Sequence, residues 1–321
     1  MRLVFLLACG SPAAAQDDAR PLLQTPAPAV AIRPESLTSL EGYGCASCHQ
    51  EVTDEWARSA HGLAWVDEAY QRDLKGKKRP ELCYGCHVPE PLLAGALTVR
   101  PDAREATREL GVHCESCHVD ESGAMLGPRG TTTTAHPSKL SPLMSAPGSN
   151  ELCSACHSTN IGPVIGIAKD AAAFLNAKGL SCVGCHMAPL ERPWATDAPA
   201  RLGRSHALQT PRDPAFLRLA FGLTLGAQQG VSVLQLHNQA GHRAPGLVGR
   251  SFTFRAELHD AGGAVIDRGE LVLDERVFLP ADGRRELRFT KAGASVRVLG
   301  LHKDPRAKDP VTFLDETLAA N

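Results

Sequence analysis

The sequence predicts a chain in two parts: a mainly α and irregular region strung along five short cysteine motifs, then a C-terminal antiparallel β-domain. Three observations predict this. The pattern Cys-x-x-Cys-His occurs five times between residues 45 and 186. The first cysteines of the motifs fall at 45, 83, 114, 153 and 182, and gaps of roughly 30–40 residues leave room for only a helix or two each. From about residue 228 the chain changes to alternating polar and apolar residues broken by Gly and Asp turns.

Ten of the 11 cysteines belong to the motifs: Cys45 and Cys48, Cys83 and Cys86, Cys114 and Cys117, Cys153 and Cys156, Cys182 and Cys185. Each pair is followed at once by a histidine, namely His49, His87, His118, His157 and His186. This is the attachment signature of c-type haem. Two thiols add across the two vinyl groups of one porphyrin, so they must lie on one short turn. The next residue then presents its imidazole to the iron. A zinc ribbon uses paired CxxC knuckles and needs no histidine behind each. A disulfide framework has no use for the histidines either. Histidine makes up 13 of 321 residues, so five such followers arise by chance with a probability on the order of 10⁻⁷ for motifs of this form. The fold class is therefore a mainly α and irregular multihaem region wrapped around five covalently attached c-type haems, followed by a β-sandwich-like domain.

Composition agrees. Aromatic residues make up 5% and hydrophobic residues 43%, and five porphyrins would bury apolar surface of their own, so the haem region needs no large side-chain core. A formal net charge of −1 argues against nucleic acid or an anionic membrane surface as partner. The basic run "KGKKR" at 75–79 reads as a solvated loop.

The N-terminus, "MRLVFLLACGSPAAAQDD", has the order of a secretory signal. Two processing routes fit. Cleavage after Ala13-Ala14-Ala15 makes residues 1–15 a signal peptide. Leu6-Leu7-Ala8-Cys9 resembles a lipobox, which would make Cys9, the one cysteine outside the motifs, a lipid anchor. A misplaced start is the third possibility. Each route exports the chain, to the periplasm or cell envelope of a Gram-negative bacterium. No stretch of 18 apolar residues follows. Residues 16–40, rich in Pro and Ala, read as a tether. The haem domain is expected over 41–210, with 187–204 irregular. The β-domain is expected over 225–321, from "VSVLQLHN", "SFTFRAEL", "ELVLDERVFL", "RELRFT" and "SVRVLGL".

Each iron needs a second axial ligand. Eight histidines lie outside the motifs: His61, His113, His136, His206, His237, His242, His259 and His302. His61 follows His49 by twelve residues; if the chain between is helical, that is roughly 18 Å at 1.5 Å per residue, so His61 must reach a different iron. Met125, Met144 and Met187 read as packing rather than thioether ligands. His259 reads as a strand end, His302 as surface, and His237 as a strand residue able to compete with His242.

"CASCHQEVTDEWARSAH" resembles the first motif of the cytochrome c554 family and related multihaem cytochromes, in which CxxCH is followed by Trp-x-x-Ser-x-His. "GVHCESCHVDESGAMLGP…AHP" and "CVGCHMAP…SHAL" resemble the later haem segments, and "NQAGHRAPG" resembles a Gly-His-Pro loop of the C-terminal β-domain. The resemblance covers most of the chain from 41 onward. It implies His61, His136, His206 and His242 as distal ligands. The chain departs from the family at Ala244-Pro245-Gly246, where Pro-Thr-Gly is expected, and at His113, which precedes Cys114 where a small residue is usual; His113 is a candidate fifth ligand. If every iron is capped, the protein is an electron conduit through closely packed, mostly bis-His haems in a bacterial respiratory chain. Its redox partners would be other cytochromes or quinone-linked membrane complexes. If one iron is open, the alternative is an oxidoreductase acting on nitrite, hydroxylamine or nitric oxide.

Overall fold

Four of the five motifs form the last turn of a helix. The structure, a computed structural model, describes residues 43–130, 133–146 and 148–320; the expected signal, Cys9 and tether lie outside the described residues. The helices are α1 (Gln50–Arg58), α2 (Glu68–Lys75), α3 (Glu81–His87), α4 (Cys114–His118), α5 (Ser149–His157), α6 (Ile167–Lys178), α7 (Cys182–His186) and α8 (Pro214–Arg218). The motif helices α3, α4, α5 and α7 all end on the motif histidine. The first motif instead makes a 3₁₀ turn, Gly44–Ser47, ahead of α1. Residues three and four apart share one helix face, so both thiols and the imidazole leave each turn on the same side.

The residue before the first cysteine starts the turn in two cases. Ser181 accepts a hydrogen bond from the Gly184 amide at α7, and His113 accepts one from the Ser116 amide at α4. Each satisfies an amide that a helix start otherwise leaves open.

Loops between the motifs are fixed by buried polar side chains. Arg104, 7% exposed, donates to the carbonyls of Pro89, Ala106, Thr107 and Gly111. Trp56 donates from Nε1 to the Val112 carbonyl at 2.7 Å. Gly111 has φ +58°, and a Cβ there would stand 2.4 Å from the His61 carbonyl. The 111–112 segment therefore lies directly on the chain that carries His61, and Val112 donates to the His61 carbonyl.

Short sheets follow. β1 (Met125–Gly127) pairs in parallel with β2 (Ser138–Leu140), and β3 (Pro189–Pro193) pairs antiparallel with β4 (Ala200–Arg204). The last pair corrects the expectation of an irregular run over 187–204. A two-stranded hairpin has only edges, and edge positions tolerate proline, so Pro189 and Pro193 hid the strand.

The C-terminal region holds β5 (Phe221–Gln228), β6 (Val231–Asn238), β7 (Ser251–His259), β8 (Val265–Leu273), β9 (Arg284–Arg288), β10 (Ser295–Lys303) and β11 (Val311–Ala319). They form two antiparallel sheets, of order β5-β6-β9 and β11-β10-β7-β8. Both contribute to one apolar core. Phe221 from the first packs against Phe252, Phe254 and Phe313 from the second, with ring centres 5.1–5.7 Å apart. The alternation that announced β6, β7 and β10 is the inward face of these sheets. His302 falls on that face of β10 and is 2% exposed, not on the surface as expected, because period two carries it inward with Val296 and Val298.

The core predicts the effect of its central ring. Phe254→Ala should destabilise the C-terminal region by about 3–5 kcal/mol, read as a lower urea midpoint for loss of β circular dichroism. A loss under about 1 kcal/mol would contradict a single shared core.

Candidate haem centres

Four of the motif histidines are oriented by a backbone carbonyl. The Nδ1 atoms of His49, His87, His118 and His186 lie 2.6, 2.6, 2.8 and 2.7 Å from the carbonyls of Trp194, Ala64, Leu126 and Gln209. A carbonyl only accepts, so Nδ1 carries the hydrogen and Nε2 keeps the lone pair that binds a metal.

Four motif histidines also face a second imidazole. Ring centres are 6.3 Å apart for His49 and His136, 6.1 Å for His61 and His157, 6.1 Å for His118 and His206, and 6.3 Å for His186 and His242. This spacing tests the fit of an iron. An imidazole nitrogen bonds a transition metal at about 2.0–2.1 Å and sits roughly 1.1 Å from its ring centre, so two end-to-end ligands span roughly 6.2–6.4 Å. The donor set and the gap both fit a haem iron.

Each of the second histidines, His61, His136, His206 and His242, is held by its own small device. Ser59, 3% exposed, accepts the amides of His61 and Gly62 and turns the chain after α1. The His206 amide donates to Glu55 on α1, which pairs through both oxygens with Arg192. His136 lies just before β2, its Nδ1 3.1 Å from the Ser138 hydroxyl. His242 sits in the loop after β6. Asn238 donates to the His242 carbonyl, and Arg243 clamps Asp170 of α6, so this loop of the β region is fastened onto the helical region. Burial, then the neighbouring His157, pushes the pKa of His61 down to about 4. Burial likewise pushes His206 to about 3 and His242 to about 4. All three are neutral at ordinary pH, the form that ligates a metal.

His87 is different. The ring next to it is that of Tyr70, 3.7 Å away and 5° from parallel. Parallel rings this close lie face to face, so Tyr70 covers the flat of the imidazole rather than its metal-binding edge. The remaining histidines are engaged elsewhere. His113 caps α4, where its Nδ1 accepts from the Ser116 amide, and its Nε2 lies 3.8 Å from Glu115. His237 pairs with Asp282, His259 bonds the Gly263 carbonyl, and His302 bonds the backbone of Pro211. Tyr70 escaped the sequence reading because nothing in its spacing to the motif marks it.

None of the ten motif cysteines is in a disulfide. Thiols of different motifs meet instead: Cys45 with Cys114, Cys86 with Cys156, and Cys153 with Cys182. Cys117 and Cys156 pack on one apolar cluster with Leu92, Leu152 and Met144. The motifs thus adjoin in the pairs first–third, second–fourth, fourth–fifth and third–fourth.

Residues 44–119 match the family described as cytochrome c554 and c-prime. The fold resembles the crystal structure of a penta-heme cytochrome c552 from Thermochromatium tepidum, with a TM-score of 0.59 and 16% identity over 86% of this chain and 97% of that one. No curated protein matches.

The Arg243–Asp170 clamp has a measurable role. Asp170→Ala should remove about 1–3 kcal/mol of hold on the loop, raising amide hydrogen exchange over 239–246 by roughly ten- to a hundredfold. Unchanged exchange would mean that the loop is held some other way.

Proposed function

Because the chain is a multihaem c-type cytochrome of the cytochrome c554-like family, we propose that it carries electrons through five closely packed haems. Cys45/Cys48, Cys83/Cys86, Cys114/Cys117, Cys153/Cys156 and Cys182/Cys185 attach them, within a haem-wrapped domain over 41–210 that is followed by a β-sandwich over 225–321. When bound, haem iron supplies the centre that takes up and releases one electron.

The observation that carries this reading is the common gap of 6.1–6.3 Å between four pairs of imidazoles. Each pair would supply two imidazole ligands to one haem, which favours electron passage over substrate binding. His61 with His157, His136 with His49, His206 with His118 and His242 with His186 are the four pairs. The backbone carbonyls on Nδ1 of His49, His118 and His186 would keep those rings oriented through a redox cycle. The thiol contacts support a route in the order first motif, third, fourth, fifth, with the second joined to the fourth through Cys86 and Cys156. His87, with Tyr70 on its face, belongs to that side branch.

An exported location, the periplasm or cell envelope, follows from the signal-like N-terminus and from the need to attach c-type haem outside the cytoplasm. Cys9 is a lipid anchor or part of a removed leader. Among the described residues no helix is long and apolar enough to cross a membrane. Redox proteins, either other cytochromes or quinone-linked membrane complexes, are the partners.

The test is a ligand deletion. His242→Ala and His61→Ala should each leave five haems per chain and convert one low-spin haem to another coordination, seen by electron paramagnetic resonance and the optical spectrum. An unchanged spectrum in either variant would remove that histidine from the ligand set.

A further inference from the structure

Where the helical region meets the C-terminal sheets lies a charged cluster that electron carriage does not use. Arg212 just before α8, Arg250 just before β7 and Arg306 just after β10 converge on Asp67 and Asp304. Asp304 pairs with Arg250 at 3.1 Å and with Arg306 at 3.1 Å. The other approaches are longer than hydrogen bonds: Arg212 to Asp67 at 3.6 Å, Arg212 to Asp304 at 3.9 Å, and Arg306 to Asp67 at 3.9 Å. Three guanidinium groups face two carboxylates, and the five side chains are only 6–30% exposed. The neighbouring Asp213 spends one carboxylate oxygen on the Ala215 and Phe216 amides at the start of α8.

His302, 2% exposed, stands beside Arg250 and Asp304, and its Nε2 has no hydrogen-bond partner. The other ring nitrogen of His302 bonds the Pro211 backbone, so Nε2 keeps a lone pair and offers an anion no hydrogen; the attraction for an anion comes from three half-buried to buried guanidinium groups set against two carboxylates. Arginine forks suit carboxylate and other oxoanions in particular.

The cluster is joined to the His87 centre. Asp67 accepts the Tyr70 amide at 2.9 Å, and the Tyr70 ring lies on His87. The buried Tyr70 hydroxyl also lacks a partner. A porphyrin attached at Cys83 and Cys86 carries two propionates on the edge away from its thioether bonds.

We propose that Arg212, Arg250 and Arg306 form a cradle for a carboxylate, supplied by a propionate of the haem at Cys83 and Cys86. The proposal rests on the reading that these cysteines and His87 hold a haem. A dissolved oxoanion offers the same chemistry from another source.

The test is a spectroelectrochemical titration of the holoprotein and of Arg212→Gln, Arg306→Gln and Arg306→Lys, with sulfate or chloride at equal ionic strength. Loss of a cation favours the ferric state. In both Gln variants, the haem without a second imidazole should become about tenfold harder to reduce, a shift of about 59 mV for one electron, while the other four stay put. Arg306→Lys should keep the wild-type value, and sulfate should change nothing. If sulfate lowers that potential in the wild type but not in Arg212→Gln, a dissolved anion fills the cradle and the propionate assignment is overturned. If no potential moves in a variant that retains five haems, the cradle itself is overturned. A wild-type chain with only four haems would fail the underlying reading instead.

Discussion

Pairs of imidazoles held at one fixed separation are the constraint on which the remaining structure depends. Each pair joins segments far apart in the chain: His61 with His157, His118 with His206, His186 with His242. An iron held between two such rings, as proposed, would tie those segments together more firmly than the helices themselves could. The motif helices α3, α4, α5 and α7 have five to nine residues, and helices of that length are marginal alone in water. The helical region accordingly has only small side-chain clusters, Trp56 with Ala57 and Leu110, and Leu92 with Leu152 and Ala155. Its loops are held by polar clips such as Arg104, and the proposed ligation would add to them.

The C-terminal sheets follow the opposite rule. They bury a continuous set of phenylalanine, leucine and valine side chains and need no cofactor for their core. Two contacts link them to the helical region: the charged cluster around Asp67 and Asp304, and the loop after β6. His242 reaches out of this region to face His186, and the Arg243–Asp170 pair fixes the loop in place. A histidine carried on a separately stabilised sheet keeps its position whether or not the short motif helices around it are held by haems.

The legible parts of the sequence were those where covalent chemistry dictates spacing. Two thiols on one turn and a trailing histidine admit little variation, so all five motifs could be read directly. The helical rise also told that His61 cannot serve the same iron as His49. Which iron it faces could not be read, since the pairing with His157 is set by Trp56, Ser59 and Gly111 far from that motif. His113, a candidate for the fifth ligand by its place before Cys114, has a role that adjacency does not announce: its ring nitrogen caps α4. β5 and β11 were missed because edge strands are half solvated and lose the alternation: in β11 the buried residues Phe313 and Leu314 are consecutive. The carbonyls that orient the motif histidines carry no sequence signal at all, since any residue type supplies one.

The most direct measurement is low-temperature electron paramagnetic resonance of the oxidised holoprotein, with haem quantified on the same sample. Five haems, four of them low-spin with two imidazoles and one of different coordination at His87, is the result that the four ring pairs and the Tyr70 stack require. Five identical bis-histidine haems, or fewer than four, would contradict it.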